Sequence, residues 1–123
     1  MPRKPGAIIR CVLESLALSY RQALEELEAL AGRPVARLYL LGGAGGNLLQ
    51  HFIANAVRRP VVAAPPDAAA LGNIVVQALA LGHLTSLEQA RELLRHSTKT
   101  SPLQPYATAW DAAFARLREL RAA

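Results

Sequence analysis

Leu38-Tyr39-Leu40-Leu41-Gly42-Gly43-Ala44-Gly45-Gly46-Asn47 decides the fold: an apolar run breaks into four glycines among five residues, and a helix reopens behind them. Val35 to Leu41 is short and nearly all apolar, the pattern of a buried strand. Glycines at this density let bare backbone come close to a neighbour. A helix opening at or near Asn47 aims unpaired N–H groups and the positive end of its dipole at the same place. Two readings fit: a phosphate or nucleotide cradle, or a tight strand-to-helix turn that holds nothing.

Upstream, Ile9, Val12, Leu13, Leu16, Tyr20, Ala23, Leu24, Leu27 and Leu30 recur at helical spacing, which predicts a long helix over 7–31. Gly32 and Pro34 stop it. Downstream, the pattern predicts a helix over 47–57 and a short strand over 61–64, cut off by Pro65-Pro66. A third helix is expected over 67–81, ended by Gly82. Thr85-x-x-Glu88 and Ser86-x-x-Gln89 both offer capping boxes for a fourth helix through about His96. Residues 97–105 read as a polar, proline-containing linker, and a last helix over 108–121 carries Trp110, Phe114, Leu117 and Leu120. The predicted order is α-β-α-β-α-α-α, an α/β domain over 1–123 that is rich in helix and has few strands. Two strands are few for a free-standing sheet. The chain therefore reads as part of something larger, or as a protomer completed by a partner.

Composition narrows the function classes. With 52% hydrophobic and 19% charged residues among 123, the chain should bury a modest core. The net charge is +5. Its arginines are scattered along predicted helices and aromatics make up only 5%, so a nucleic-acid partner is not expected. Cys11 is the only cysteine, which excludes an internal disulfide and a cysteine-based zinc site. The longest apolar stretches, such as Ile74 to Leu81, are too short to span a bilayer, and Met1 to Gly6 leads into no signal-peptide core. The expectation is a reduced, cytoplasmic setting with no membrane partner.

Two familiar phosphate motifs fail. A Walker A loop needs Gly-Lys-Ser/Thr, yet the only lysines are Lys4 and Lys99; a Rossmann fingerprint starting at Gly43 needs glycine where Leu48 stands. What remains is geometric. Strand-to-helix junctions at 42–47 and 65–73 would meet at one carboxyl edge if the strands are parallel neighbours, where open α/β sheets bind ligands. The acid/base inventory is poor. Asp67 stands where a helix N-cap is expected, Asp111 is the only other aspartate, and His51, His83 and His96 lack metal-ligand spacing. These residues offer a cradle, but no catalytic set and no metal set.

Several stretches in order resemble the carboxyl-terminal domain of the FGGY carbohydrate kinases. The family's Gly-Gly-Gly/Ala-x-x-Asn loop corresponds to Gly42-Gly43-Ala44-Gly45-Gly46-Asn47, its next helix to the step Ala54-Asn55-Ala56, and a later element to Pro65 through Asn73. Glu14 through Arg21 and Gly72 through Ala78 add features of the rhamnulokinase branch. The resemblance runs from about Gly6 to the last helix. It implies the carboxyl-terminal lobe of an actin-like, ribonuclease-H-like sugar kinase fold, with ATP and sugar in a cleft between two lobes. By position it places Gly43 and Asn47 at the ATP, with Gly42 beside them, and gives Gly72 a role in close helix packing. Gly45-Gly46 for the commoner Ser/Cys-Gln pair, Asp67 for Glu and Ala69 for Thr depart from the pattern.

The resemblance also implies what this chain lacks: an amino-terminal lobe carrying the phosphate-binding hairpin, the sugar contacts, the catalytic-base aspartate and most of the magnesium site. The parent reaction would use ATP and magnesium to convert L-rhamnulose to its 1-phosphate. The expectation for this chain alone is no turnover, with ATP and either the missing lobe or a second copy as partners.

Overall fold

A computed structural model describes residues 4–41, 46–98, 100, 102–106 and 109–122. Helix α1 (Pro5–Ala31) has proline in its first turn and ends at Gly32, whose φ of 65° is the left-handed conformation that glycine adopts without strain. Strand β1 is Leu38–Leu40, helix α2 Gly46–Val57, strand β2 Val61–Ala63, helix α3 Ala68–Ala80, helix α4 Leu87–Ser97 and helix α5 Trp110–Ala122. The element order is the one read from the sequence, and the architecture is helix-rich α/β.

Strand β1 is shorter than the predicted 35–41. The Val35 N–H donates to Glu28 Oε1 at 2.7 Å and the Val35 carbonyl accepts from Arg59 Nε at 3.0 Å. Side chains thus satisfy the backbone that a longer ladder would have used. Strands β1 and β2 pair in parallel, Leu38 opposite Val61 and Leu40 opposite Ala63. On its other side β2 is closed by Leu103, which exchanges two backbone bonds with Val61 at 3.0 and 2.8 Å. The linker begins after Ser97, one residue into the predicted 97–105, and still covers a sheet edge. The predicted start of the last helix, Thr108, lies outside the described residues.

The core lies between α1, α2 and the sheet. Phe52 through Val57 are all buried, and with Leu49 they meet Ala17, Leu18 and Leu24 of α1. Only part of the α1 stripe is used. Leu13 is half-buried, while Ile9, Val12, Leu16, Leu27 and Leu30 are exposed. Helix α5 docks through Phe114, which is buried under the Arg21 guanidinium at 4.3 Å, and through Trp110, 5.3 Å from Phe52.

Helix α3 departs most from expectation. It carries no charged side chain, yet none of its residues is buried. A Cβ at Gly72 would meet nothing within 4 Å, so the expected close helix packing is not made among the described residues. A helix with no charge and with only Asn73 and Gln77 as polar side chains suits an interior, and nothing among the described residues encloses it. Asp67 occupies the N-cap position of α3, but its carboxylate makes no capping bond, contrary to the expected role. Its ψ of 14° departs from the extended backbone that normally turns a cap side chain back onto the helix. Of the two capping boxes before α4, Ser86 forms the one used: its Oγ accepts from the Gln89 N–H at 3.2 Å, and Gln89 Oε1 accepts from the Thr85 N–H at 2.8 Å. No helix among the described residues is long and apolar enough to cross a membrane.

Candidate functional site

The parallel pairing brings both strand-to-helix junctions to one edge. The Ala64 N–H donates to the Leu40 carbonyl at 2.8 Å, so the chain leaving β1 toward the glycine cluster runs beside the chain leaving β2 toward α3. This is the carboxyl edge of a parallel sheet. Of the predicted contacts, Gly42 and Gly43 lie outside the described residues, as do Ala44 and Gly45. Asn47 is described, and it stands exposed in the first turn of α2.

Helix α2 is a rigid support for that edge. Its inner side fills the core, and its first turn contains no acidic residue to repel an anion from the positive end of the helix dipole. Asn47, His51 and Asn55 follow at i, i+4 and i+8 and form one polar stripe. Exposure falls along it, from exposed Asn47 through half-buried His51 to Asn55 at 2%. Asn55 Oδ1 accepts the Tyr106 N–H at 2.8 Å, and the Tyr106 ring meets the His51 ring edge-on at 6.1 Å. The linker is therefore fastened at two points, to Asn55 of α2 and, through Leu103, to β2. The sequence marks Asn55 only as part of a small-amide-small step. Its role as a clasp depends on a residue 51 positions away.

The titratable groups divide by location. Asp111 is engaged on the α1–α5 side, where it accepts from Arg21 Nη1 at 2.7 Å and from Arg58 Nη1 at 3.4 Å. The Arg21 bond, with added attraction from Arg58, holds the Asp111 carboxyl below the usual carboxylate range. Partial burial opposes the charge on Arg21, but its bonds to Asp111 and Glu25 outweigh that, so its pKa rises. Asp67 stands apart from this network, exposed at the sheet edge. Among the described residues, no three His, Cys, Asp or Glu side chains gather into a metal-binding group.

The sequence model for the FGGY family of carbohydrate kinases, C-terminal domain, matches residues 1–81. The rhamnulokinase of Bacteroides thetaiotaomicron is 45% identical over 116 residues, covering 93% of this chain and 24% of that enzyme. The rhamnulokinase of Pectobacterium atrosepticum is 37% identical over 116 residues, covering 94% of this chain and 23% of that enzyme. That of Oceanobacillus iheyensis is 34% identical over 98 residues, covering 79% and 21%. The chain thus spans less than a quarter of the length of these curated relatives.

Proposed function

The chain belongs to the FGGY family of carbohydrate kinases, and from that premise we propose that it forms the ATP-binding side of a kinase acting on L-rhamnulose or a similar ketose. The observation that carries the reading is the sheet edge. Two parallel strands end side by side, and in the sequence the first leads into the glycine cluster and the start of α2, whose first turn holds no acidic residue. Gly42 and Gly43 would let the backbone close on the nucleotide, and Asn47 would hydrogen-bond to it from the helix start. ATP supplies the phosphoryl group. Magnesium would be held mainly by the rest of the kinase, since the described residues here offer no carboxylate set.

Phosphoryl transfer needs an acceptor hydroxyl, a base and metal-held phosphates brought together. Asp111 is tied into an ion-pair network and Asp67 stands as a single exposed carboxylate. On this reading the chain alone binds ATP in a cytoplasmic setting and does not turn over sugar. Calorimetric titration with ATP tests it: Gly43→Val should abolish binding through a side chain at the point of backbone approach. Unaltered affinity in that variant, or ATP-dependent phosphorylation of L-rhamnulose by the purified chain, would refute the reading.

A second observation supports a partner. The accessible surface is 8960 Å², whereas a compact monomer of this mass exposes about 6,400 Å². The excess includes the uncharged α3 and the outer face of β1 and the residue after it, where Tyr39 and Leu41 are exposed. The amino-terminal kinase lobe is the occupant we propose for these faces, and the alternative is a non-catalytic nucleotide-binding or self-associating domain. Sedimentation of the purified chain separates them: a dimer that forms with or without ATP favours the alternative.

A further inference from the structure

Helix α1 carries an apolar stripe that the domain does not use. It packs on α2 and α5 through the side where Ala17, Leu18 and Leu24 are buried. On its solvent side Ile9, Leu16, Ala23 and Leu30 recur every seven residues, and all four are exposed. Leu13, Tyr20 and Leu27 recur at the same interval between them, and of these only Leu13 is half-buried. Apolar positions alternating by four and three residues over three heptads are the seam pattern of paired helices. The seam holds no charged residue. From Ile9 to Leu30 it is about 33 Å long at the helical rise of roughly 1.5 Å per residue.

The order of the exposed side chains selects the occupant. Ile9, Val12, Leu16, Ala23, Leu27 and Leu30 are separated by 3, 4, 7, 4 and 3 positions, a spacing that reads the same in both directions. Laid antiparallel on a second copy of itself, α1 therefore sets Ile9 opposite Leu30, Val12 opposite Leu27 and Leu16 opposite Ala23, each pair occurring twice. The middle pair fits a large side chain against a small one, and Tyr20 lies beside the two-fold axis. The helix ends favour the same arrangement. Helix α1 has no acidic residue in its first turn and no basic residue in its last, so its own side chains leave the helix dipole uncompensated. An antiparallel copy brings ends of opposite sign together. The area is sufficient as well. The six large side chains of this face range from 36% exposed at Tyr20 to 86% at Leu30. At roughly 100 Å² apiece they offer about 600 Å² per copy and about 1,200 Å² per dimer, the lower end of specific interfaces.

We propose that two copies of this chain pair through α1 as an antiparallel seam, with the two-fold axis between residues 19 and 20. The seam uses no residue of the sheet edge, of α3 or of β1. It therefore rests neither on the ATP reading nor on the occupant of those faces.

Sedimentation of the whole chain across the micromolar range tests the seam, with Leu16→Glu as the broken form. Leu16 is exposed in the single chain and glutamate is a good helix former, so the variant should fold, which circular dichroism checks. In the dimer it would bury two unpaired carboxylates, and the dissociation constant should rise at least about a hundredfold. Orientation is read separately. In a Cys11→Ser background, chains carrying Val12→Cys or Leu27→Cys are oxidised with diamide, alone and mixed. The antiparallel register predicts a disulfide between copies in the mixture and none in either variant alone, because only positions 12 and 27 come within bonding range. A chain that stays monomeric, a dimer that Leu16→Glu leaves intact, or disulfides in the separate variants would each overturn the proposal. A monomer leaves the stripe to the rest of the kinase, and a surviving dimer runs through another face. Because the native seam would mask a dimer through α3 or β1, the sedimentation that bears on those faces is read in Leu16→Glu.

Discussion

Phe114→Ala should release helix α5 from the rest of the domain without melting the core. Phe114 is 4% exposed and is the one buried residue of its helix. Truncating a buried phenylalanine costs about 3–5 kcal/mol through lost transfer energy and the cavity left behind. Arg21 also loses the ring it covers at 4.3 Å, worth roughly 0.5–1 kcal/mol. What remains is half-buried Trp110 and Leu117, the ion pairs of half-exposed Asp111, and the exposed bonds from Arg121 to Gln22 and Ser19. Such pairs are each worth about 0–1 kcal/mol. The loss therefore exceeds what the remaining polar contacts can supply, and α5, joined through a linker, should detach as a local unit. Trp110 is the only tryptophan, packed 5.3 Å from Phe52, so its emission reports docking directly. The expected result is a red-shifted spectrum in buffer while far-UV circular dichroism still shows folded α1 and α2. Native-like emission together with a urea-unfolding loss below about 1 kcal/mol would refute the reasoning.

Three further outcomes follow from single positions. Gly72→Ala should stabilise the chain by about 0.5–1 kcal/mol, because an added methyl meets open space and glycine weakens a helix interior; thermal melts check this. Arg58 ends α2 with a φ of 56°, so Arg58→Gly should relieve backbone strain. The gain, offset by the weak Asp111 contact at 3.4 Å and by glycine's freer unfolded chain, should be about 0.5 kcal/mol in urea titration. The Arg21 bond lowers the Asp111 pKa in the folded chain, so this group stabilises α5 above its unfolded value of about 3.9. That stability is lost as pH falls through the lower folded value. Trp110 emission should shift red across that acid window, and Arg21→Met should remove the Asp111 contribution to the transition.

Much of this organisation is determined locally and so is legible in the sequence. The long apolar periodicity of α1 and its Gly32 stop, the glycine break after Leu41 and the Ser86–Gln89 cap depend on residues a few positions apart. The family resemblance likewise rests on short stretches in order, and the match to the FGGY carbohydrate kinases bears it out. The sequence also predicts a shortage of strands, and the exposed α3 and outer face of β1 are its physical counterpart.

Tertiary structure decided what depends on distant partners. Periodicity identifies the apolar side of α1 but not its cover, and the two-stranded sheet with α2 reaches only Ala17, Leu18 and Leu24 fully. Composition places Asp67 at a helix start, but only the backbone angle decides that it makes no capping bond. Asn55 becomes a clasp, and Asp111 an anchor, through residues 51 and 90 positions away. The parallel register matters most. The sequence wrote two separate strand-to-helix junctions, and only the hydrogen bond from Ala64 to Leu40 makes them one edge.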